Sequence, residues 1–234
     1  MKSPSVVLSC EHAAFSLPAR LRARFAYHPH VVFSHRGWDP GALVAAKMLS
    51  RRLGAPLVSG AITRLACDLN RSQENPEVFS EFTANLDEPT RLWLLRRYHR
   101  PHWAKVRSLI EAGLDHHRTV IHLAAHSFVP VLNGRVRYLD VGLLYDPASR
   151  SEQRLVATLR QDLNRRFPDL TVVDNQPYSG TDDALPTALR AHLGFRRYAG
   201  IEVELNQQLL DTPLRFSAIV RAIADSVNRV QVRG

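Results

Sequence analysis

The sequence predicts an α/β fold, with helices on both faces of a mostly parallel central sheet, from two observations. Short apolar runs without alternation recur along the chain: Val6-Val7-Leu8-Ser9-Cys10, Val120-Ile121-His122-Leu123-Ala124-Ala125 and Ala199-Gly200-Ile201-Glu202-Val203. Runs of this kind read as strands buried on both sides. Between them lie segments with apolar residues at helical spacing, with no internal repeat, low-complexity stretch or linker. That alternation indicates one α/β domain over residues 1–234, a three-layer α/β/α arrangement.

Each element has its own signal. Val6 to Cys10 is the first strand, and Pro18 to Tyr27 is a short basic helical stretch. A loop through His28, Pro29, His30 and His35 leads to Trp38-Asp39-Pro40-Gly41. Asp39 followed by Pro40 predicts a helix start, with an N-cap acceptor and proline at the first helical position; Gly54 marks the end just past Leu53. Leu57-Val58-Ser59 reads as a strand and Ile62 to Leu69 as an extended segment. Residues 72–88 are polar and patternless, which predicts a long loop near the site or a mobile lid. Pro89 to Leu114 is helical, with an interruption expected near Arg100-Pro101. After the mid-chain strand, Tyr138 to Leu144 and Leu170 to Val173 read as strands. Ser151 to Phe167, Leu185 to Leu193 and the closing Pro213 to Val230 read as helices.

Composition narrows the class. The 234 residues are 45% hydrophobic, enough for one sizeable core. No stretch approaches the roughly 20 apolar residues that span a bilayer. Met1-Lys2-Ser3-Pro4 leads directly into a run too short for a secretory leader. Cys10 and Cys67 have no paired spacing, so neither a disulfide framework nor a thiolate zinc finger is indicated, and a cytoplasmic location is expected. The net charge of +9 would suit a nucleic-acid binder. Its arginines, however, are scattered as pairs such as Arg51-Arg52, Arg96-Arg97 and Arg165-Arg166, on segments that read as outer helix faces. No helix-turn-helix, aromatic-studded strand or finger spacing accompanies them, so neither nucleic acid nor membrane is expected as a partner. Oligomeric state is left open.

The chemistry-bearing residues gather at strand ends, where α/β sheets bind their ligands. His12 follows the first strand, and a strand end fixes an imidazole in the direction a metal ligand needs; a hydrogen-bonding loop histidine is the alternative. His122 and His126 are four apart on one strand and share a face. Ser127-Phe128 and Pro130 break the strand after the second, so position favours His126 as ligand and His122 as a hydrogen-bonded core residue. Glu202 and Glu204 share a face at about 7 Å, where buried carboxylates raise each other's pKa unless a cation lies near. In Arg64-Leu65-Ala66-Cys67-Asp68-Leu69-Asn70-Arg71, an arginine fork beside an asparagine suits a substrate carboxylate, whereas an Asp68–Arg71 ion pair holding a loop is the alternative.

An ordered set of motifs over nearly the whole chain resembles the N-formylglutamate amidohydrolase family. The pieces are Ser9-Cys10-Glu11-His12-Ala13, Trp38-Asp39-Pro40-Gly41-Ala42, Asp68-Leu69-Asn70-Arg71 and Tyr98-His99-Arg100-Pro101-His102-Trp103. They continue with His126-Ser127-Phe128, Asp140-Val141-Gly142-Leu143-Leu144-Tyr145-Asp146 and Glu202-Val203-Glu204-Leu205-Asn206-Gln207. The Asp-Leu-Asn-Arg and His-Ser pieces also resemble aspartoacylase and succinylglutamate desuccinylase, of the zinc carboxypeptidase-like superfamily. The resemblance implies a zinc-exopeptidase-like α/β/α fold and hydrolysis of the N-acyl amide of an acidic amino acid, a small molecule carrying a carboxylate. It implies zinc on His12, Asp39 and His126; Asp39 stands in for the acid expected three residues after His12, where Phe15 is found, and Glu11 is the alternative acidic ligand. It further implies Glu204 as catalytic base, Arg64 on the oxyanion side, and Asn70, Arg71 and Arg100 on substrate carboxylates.

Overall fold

Fully buried strands dictate the architecture. In the computed structural model, which describes residues 5–232, β1 (Val6–Cys10), β3 (Val120–Phe128) and β8 (Tyr198–Asn206) are buried at every position. Met1 to Pro4, read above as the approach to β1, lie outside the described residues. With β2 (Leu57–Ser59), β6 (Val141–Leu144) and β7 (Val172–Asp174) they form a six-stranded sheet in the order β2-β1-β3-β8-β6-β7. All neighbours are parallel except β6 and β8, which run antiparallel. A separate two-stranded hairpin, β4 (Val131–Leu132) with β5 (Arg135–Val136), precedes β6.

Side-chain alternation along the strands divides the interior in two. Val6, Leu8, Leu123, Ile201 and Val203 pack on α2 (Ala42–Leu53), α5 (Arg150–Arg166) and α7 (Pro213–Val232). Val7, Val120 and Tyr198 face the other way, onto α4 (Arg100–Leu114) and α6 (Leu185–Leu193). This is the mixed, mostly parallel sheet covered on both faces that the apolar runs predict. On the α4/α6 side the same alternation puts Ser9, Glu11, His122, His126, Glu202 and Glu204 in register.

Three local expectations are corrected. The helix after Asp39 begins at Ala42, and Gly41, at φ +83°, occupies the N-cap position without a side-chain cap. The Asp39 carboxylate is thereby released for other partners, while Gly54 ends the helix in the left-handed conformation as expected. Ile62 to Leu69 is a series of turns rather than an extended segment. Its Ile62, Leu65 and Cys67 fill a satellite core with Leu21, Phe25, Val32, Val78 and Leu94.

Residues 72–88 form the long loop that the sequence suggests: Ser72 N and Asn75 Nδ2 donate to Asp183 Oδ2 (3.0 and 2.6 Å), and Val78 is buried in that core. The interruption near Pro101 is a π turn, Leu95–His99, joining α3 (Glu88–Leu94) to α4 without a break. A widened turn accommodates a proline ring that would clash with the carbonyl four residues earlier.

Candidate metal centre

At the carboxyl ends of β1 and β3, two imidazoles and a carboxylate converge. His12 comes directly off β1, and the Asp39 N–H donates to the His12 carbonyl (3.0 Å), so the two chain segments are stitched together. His126 sits two residues before the end of β3. Ligand atoms from His12, Asp39 and His126 lie within 4.8 Å of one another, and all three residues are buried. Asp39 Oδ2 is 3.4 Å from His12 Nδ1 and 3.0 Å from His126 Nδ1.

Each imidazole is backed on its other nitrogen by a second carboxylate. His12 Nε2 donates to Asp68 Oδ1 (2.7 Å), and His126 Nε2 lies 3.1 Å from Glu11 Oε2. Such a partner fixes the orientation of a ligating histidine and raises its basicity. Glu11 is fully buried and also accepts from His102 Nε2 (3.2 Å) on α4. Burial alone would raise the Glu11 carboxyl, but the imidazoles of His102 and His126 outweigh it and hold it well below the usual carboxylate range. Glu11 therefore stands behind His126 rather than among the three converging residues. The Asp68–Arg71 ion pair considered from spacing is replaced: Asp68 turns to His12 and to the Asn70 N–H (2.8 Å).

Of the other sequence-selected residues, Arg64, Glu202 and Glu204 adjoin this centre, Asn70 and Arg71 act on Glu202, and Arg100 bonds away from it. Glu204 is opposite His126 in the parallel register and Glu202 opposite Ala124. Burial first, and then the neighbouring charges of Asp39 and Glu202, raise the Glu204 carboxyl; Glu204 Oε2 is buried without a hydrogen-bond partner. Glu202 is raised by burial as well, although Asn70 Nδ2 donates to its Oε1 (2.7 Å). Arg64 Nη2 donates to Asp39 Oδ1 (3.0 Å) and also contacts His12 Nδ1, while its Nε is buried and unpartnered. Asn70 Oδ1 accepts from Leu185 N (3.1 Å) at the start of α6. Arg71 Nη1 donates to the carbonyls of Asn70 and Asp183 (3.3 and 2.9 Å). Arg100 is exposed, and its Nε donates to Gln73 (2.9 Å).

Asp68 and the histidines of the Tyr98-to-Trp103 motif have site roles that spacing did not reveal. His99 Nε2 donates to Arg71 O (2.7 Å) and Trp103 Nε1 to Leu69 O (2.8 Å), so the π turn and α4 clamp the loop carrying Asn70 and Arg71. The one available signal was the recurrence of polar residues inside a segment otherwise at helical spacing. His122, by contrast, lies in the core, bonded to Ser9 Oγ (2.7 Å) and Tyr198 Oη (2.6 Å).

The donor set fits a divalent cation. Two imidazoles with a carboxylate are a ligand set of catalytic zinc sites. Arg64 already places one cationic nitrogen between His12 Nδ1 and Asp39. Burial would lower His126, but Asp39 and Glu11 outweigh it and raise its pKa well above the ordinary value, so the site favours positive charge at its centre. Fold and centre together define an α/β protein with a buried His-Asp-His group able to hold a metal ion.

Comparison with known proteins narrows the class. The family model for N-formylglutamate amidohydrolase matches residues 4–210, and the chain belongs to that family of amidohydrolases. The structure of gene product Atu2144 from Agrobacterium tumefaciens superposes with a TM-score of 0.81 at 26% identity, covering 98% of this chain and 91% of that one. The N-formylglutamate amidohydrolase from Ralstonia eutropha JMP134 superposes with a TM-score of 0.69 at 18% identity, covering 98% and 96%. Comparison with curated proteins gives no match. Among the described residues no helix is long and apolar enough to cross a membrane.

Proposed function

We propose that this chain is a zinc-dependent amidohydrolase that cleaves the N-acyl amide of an acidic amino acid, with N-formylglutamate as the type substrate. One observation carries the reading: His12 and His126, each faced on Nε2 by a carboxylate, partly buried Asp68 and fully buried Glu11, converge on Asp39 beside Glu204, whose Oε2 is buried without a hydrogen-bond partner. A zinc ion held by His12, Asp39 and His126 would supply Lewis acidity, which polarises a carbonyl and eases deprotonation of water.

The remaining work falls to the chain's own groups. Glu204, buried and raised in pKa, is suited to take a proton from water attacking the acyl carbon and to return it to the amine nitrogen as the C–N bond breaks. Arg64 provides a cation for the oxyanion that develops on the acyl oxygen. Arg71, within the field of Glu202, holds a substrate carboxylate, and Asn70 fixes Glu202 and the start of α6 around it. Arg100, exposed and bonded to Gln73, is the family-implied candidate for a further substrate carboxylate. The products are formate, or another small acid, and a free amino acid.

The test combines metal analysis with a release assay across N-formyl, N-acetyl and N-succinyl amino acids. Expected are about one zinc per chain, and a loss of turnover of at least about 10²-fold in Glu204→Gln with metal retained. Undiminished turnover in Glu204→Gln, or no zinc in active protein, rejects the assignment. Preference for acetyl or succinyl substrates redirects it to another N-acyl amino acid.

A further inference from the structure

Among the described residues, the guanidinium of Arg137, packed on the ring of Phe128 at the end of β3, has no carboxylate partner. Arg137 follows the β4–β5 hairpin, and its backbone N–H donates to Pro130 O (2.8 Å). Its Cζ lies 5.7 Å from the centre of the Phe128 ring and 5.2 Å from that of Tyr178, and Nη2 donates to the Tyr178 hydroxyl (3.3 Å). Nη1 is buried with no hydrogen-bond partner, and among the described residues no carboxylate pairs with Arg137. A buried, unbonded charged donor is unfavourable, and the side chain is held in place by the two rings.

We propose that Arg137 receives a carboxylate of the substrate and thereby sets the preference for acidic N-acyl amino acids, an inference that rests on the amidohydrolase reading above. Phe128 is two residues beyond His126 on β3, so it shares that residue's face at about 7 Å along the strand. The Phe128 ring thereby links the guanidinium to the strand end that carries His126. Apart from Arg71, the other arginines of the site motifs and helices are engaged by side chains: Arg64 with Asp39 and His12, Arg100 with Gln73, and Arg190 with Glu152. Arg137 has a donor to spare. Aromatic rings against the guanidinium fix its orientation before the ligand arrives, so little side-chain entropy is lost on binding. With Arg71 holding one carboxylate and Arg137 the other, the site suits a dianion.

The experiment compares steady-state kinetics of the wild type, Arg137→Met and Arg137→Lys on N-formylglutamate, N-formylglutamine and the α-carboxamide of N-formylglutamate. Arg137→Met is expected to raise KM for N-formylglutamate by about 100-fold, with kcat changed far less, because a charge-assisted hydrogen bond to the ground state is lost. The penalty should vanish on whichever analogue lacks the carboxylate that Arg137 holds, and Arg137→Lys should recover part of it. KM values within twofold of the wild type on all three substrates overturn the proposal.

Calorimetric binding of glutarate gives a readout that needs no turnover. Weakening of about tenfold or more in Arg137→Met supports the site, and equal binding rejects it. A wild type that hydrolyses none of the three while glutarate still senses Arg137 rejects the amidohydrolase reading and keeps the carboxylate site. Thermal melting of both variants confirms that the comparison is between folded proteins, and Arg137→Gln replaces the methionine variant if that one fails to fold.

Discussion

His122 gives a quantitative test of how this core treats charge. Its ring is fully buried between the Ser9 and Tyr198 hydroxyls, and burial first, then the positive charges of His102, His126 and Arg190, lower its pKa from 6.5 to about 4; Glu11 opposes them only in part. Below pH 6.5 the unfolded chain therefore takes up a proton at this position that the folded chain refuses. The stabilisation is complete above pH 6.5, declines as the pH falls, and is exhausted below about 4, where both states are protonated. A pKa difference of about 2.5, at ~1.36 kcal/mol for each unit, amounts to about 3 kcal/mol. His122→Gln keeps a polar group between the same hydroxyls and removes the titration. Urea unfolding of both proteins from pH 7 to pH 4 is the assay. The wild type should lose about 3 kcal/mol more than the variant over that interval, with other titrating groups cancelling in the difference. Parallel curves, or a variant that loses more on acidification, would refute the reasoning.

Three further outcomes follow from single contacts. Asp68→Asn removes the carboxylate behind His12 and should weaken zinc binding by about 10- to 100-fold in a chelator competition. Arg190→Met leaves buried Glu152 without its ion pair (2.9 Å), where Arg190 also donates to the carbonyls of Gly180 and Gly200; unfolding free energy should fall by about 3–5 kcal/mol in denaturant titration. Gly142→Ala sets a methyl 2.0 Å from Gln176 O and 3.2 Å from Glu204 Cβ, so backbone must shift beside the proposed base. That variant should lose about 1–3 kcal/mol of stability and show reduced kcat in the release assay.

Much of the framework was legible because it rests on local patterns. The buried strands announced themselves as unalternated apolar runs, and Gly54 marked the end of α2 by its tolerance of positive φ. Strand position told His126, which joins His12 and Asp39 near the end of β3, from His122, which lies in the core between two hydroxyls. Asp39 was ambiguous for a physical reason: an acid before proline is good at capping a helix and equally good at binding a cation, and only the fold decides which. Asp68 and Glu11 act across 56 and 115 residues respectively, and no spacing rule reaches that far. The orientation of β6 was also hidden, since an apolar run has no direction until its neighbours are known.

That reversed strand has an evolutionary consequence. Because β6 enters the sheet at the end where β3 and β8 leave it, the stretch from 129 to 140 hangs over the same opening as the histidines without belonging to any strand that carries them. Lengthening, shortening or recomposing that stretch would alter what the enzyme admits while the reaction machinery stays as it is. Diversification of appetite within such a scaffold has a ready-made place to occur.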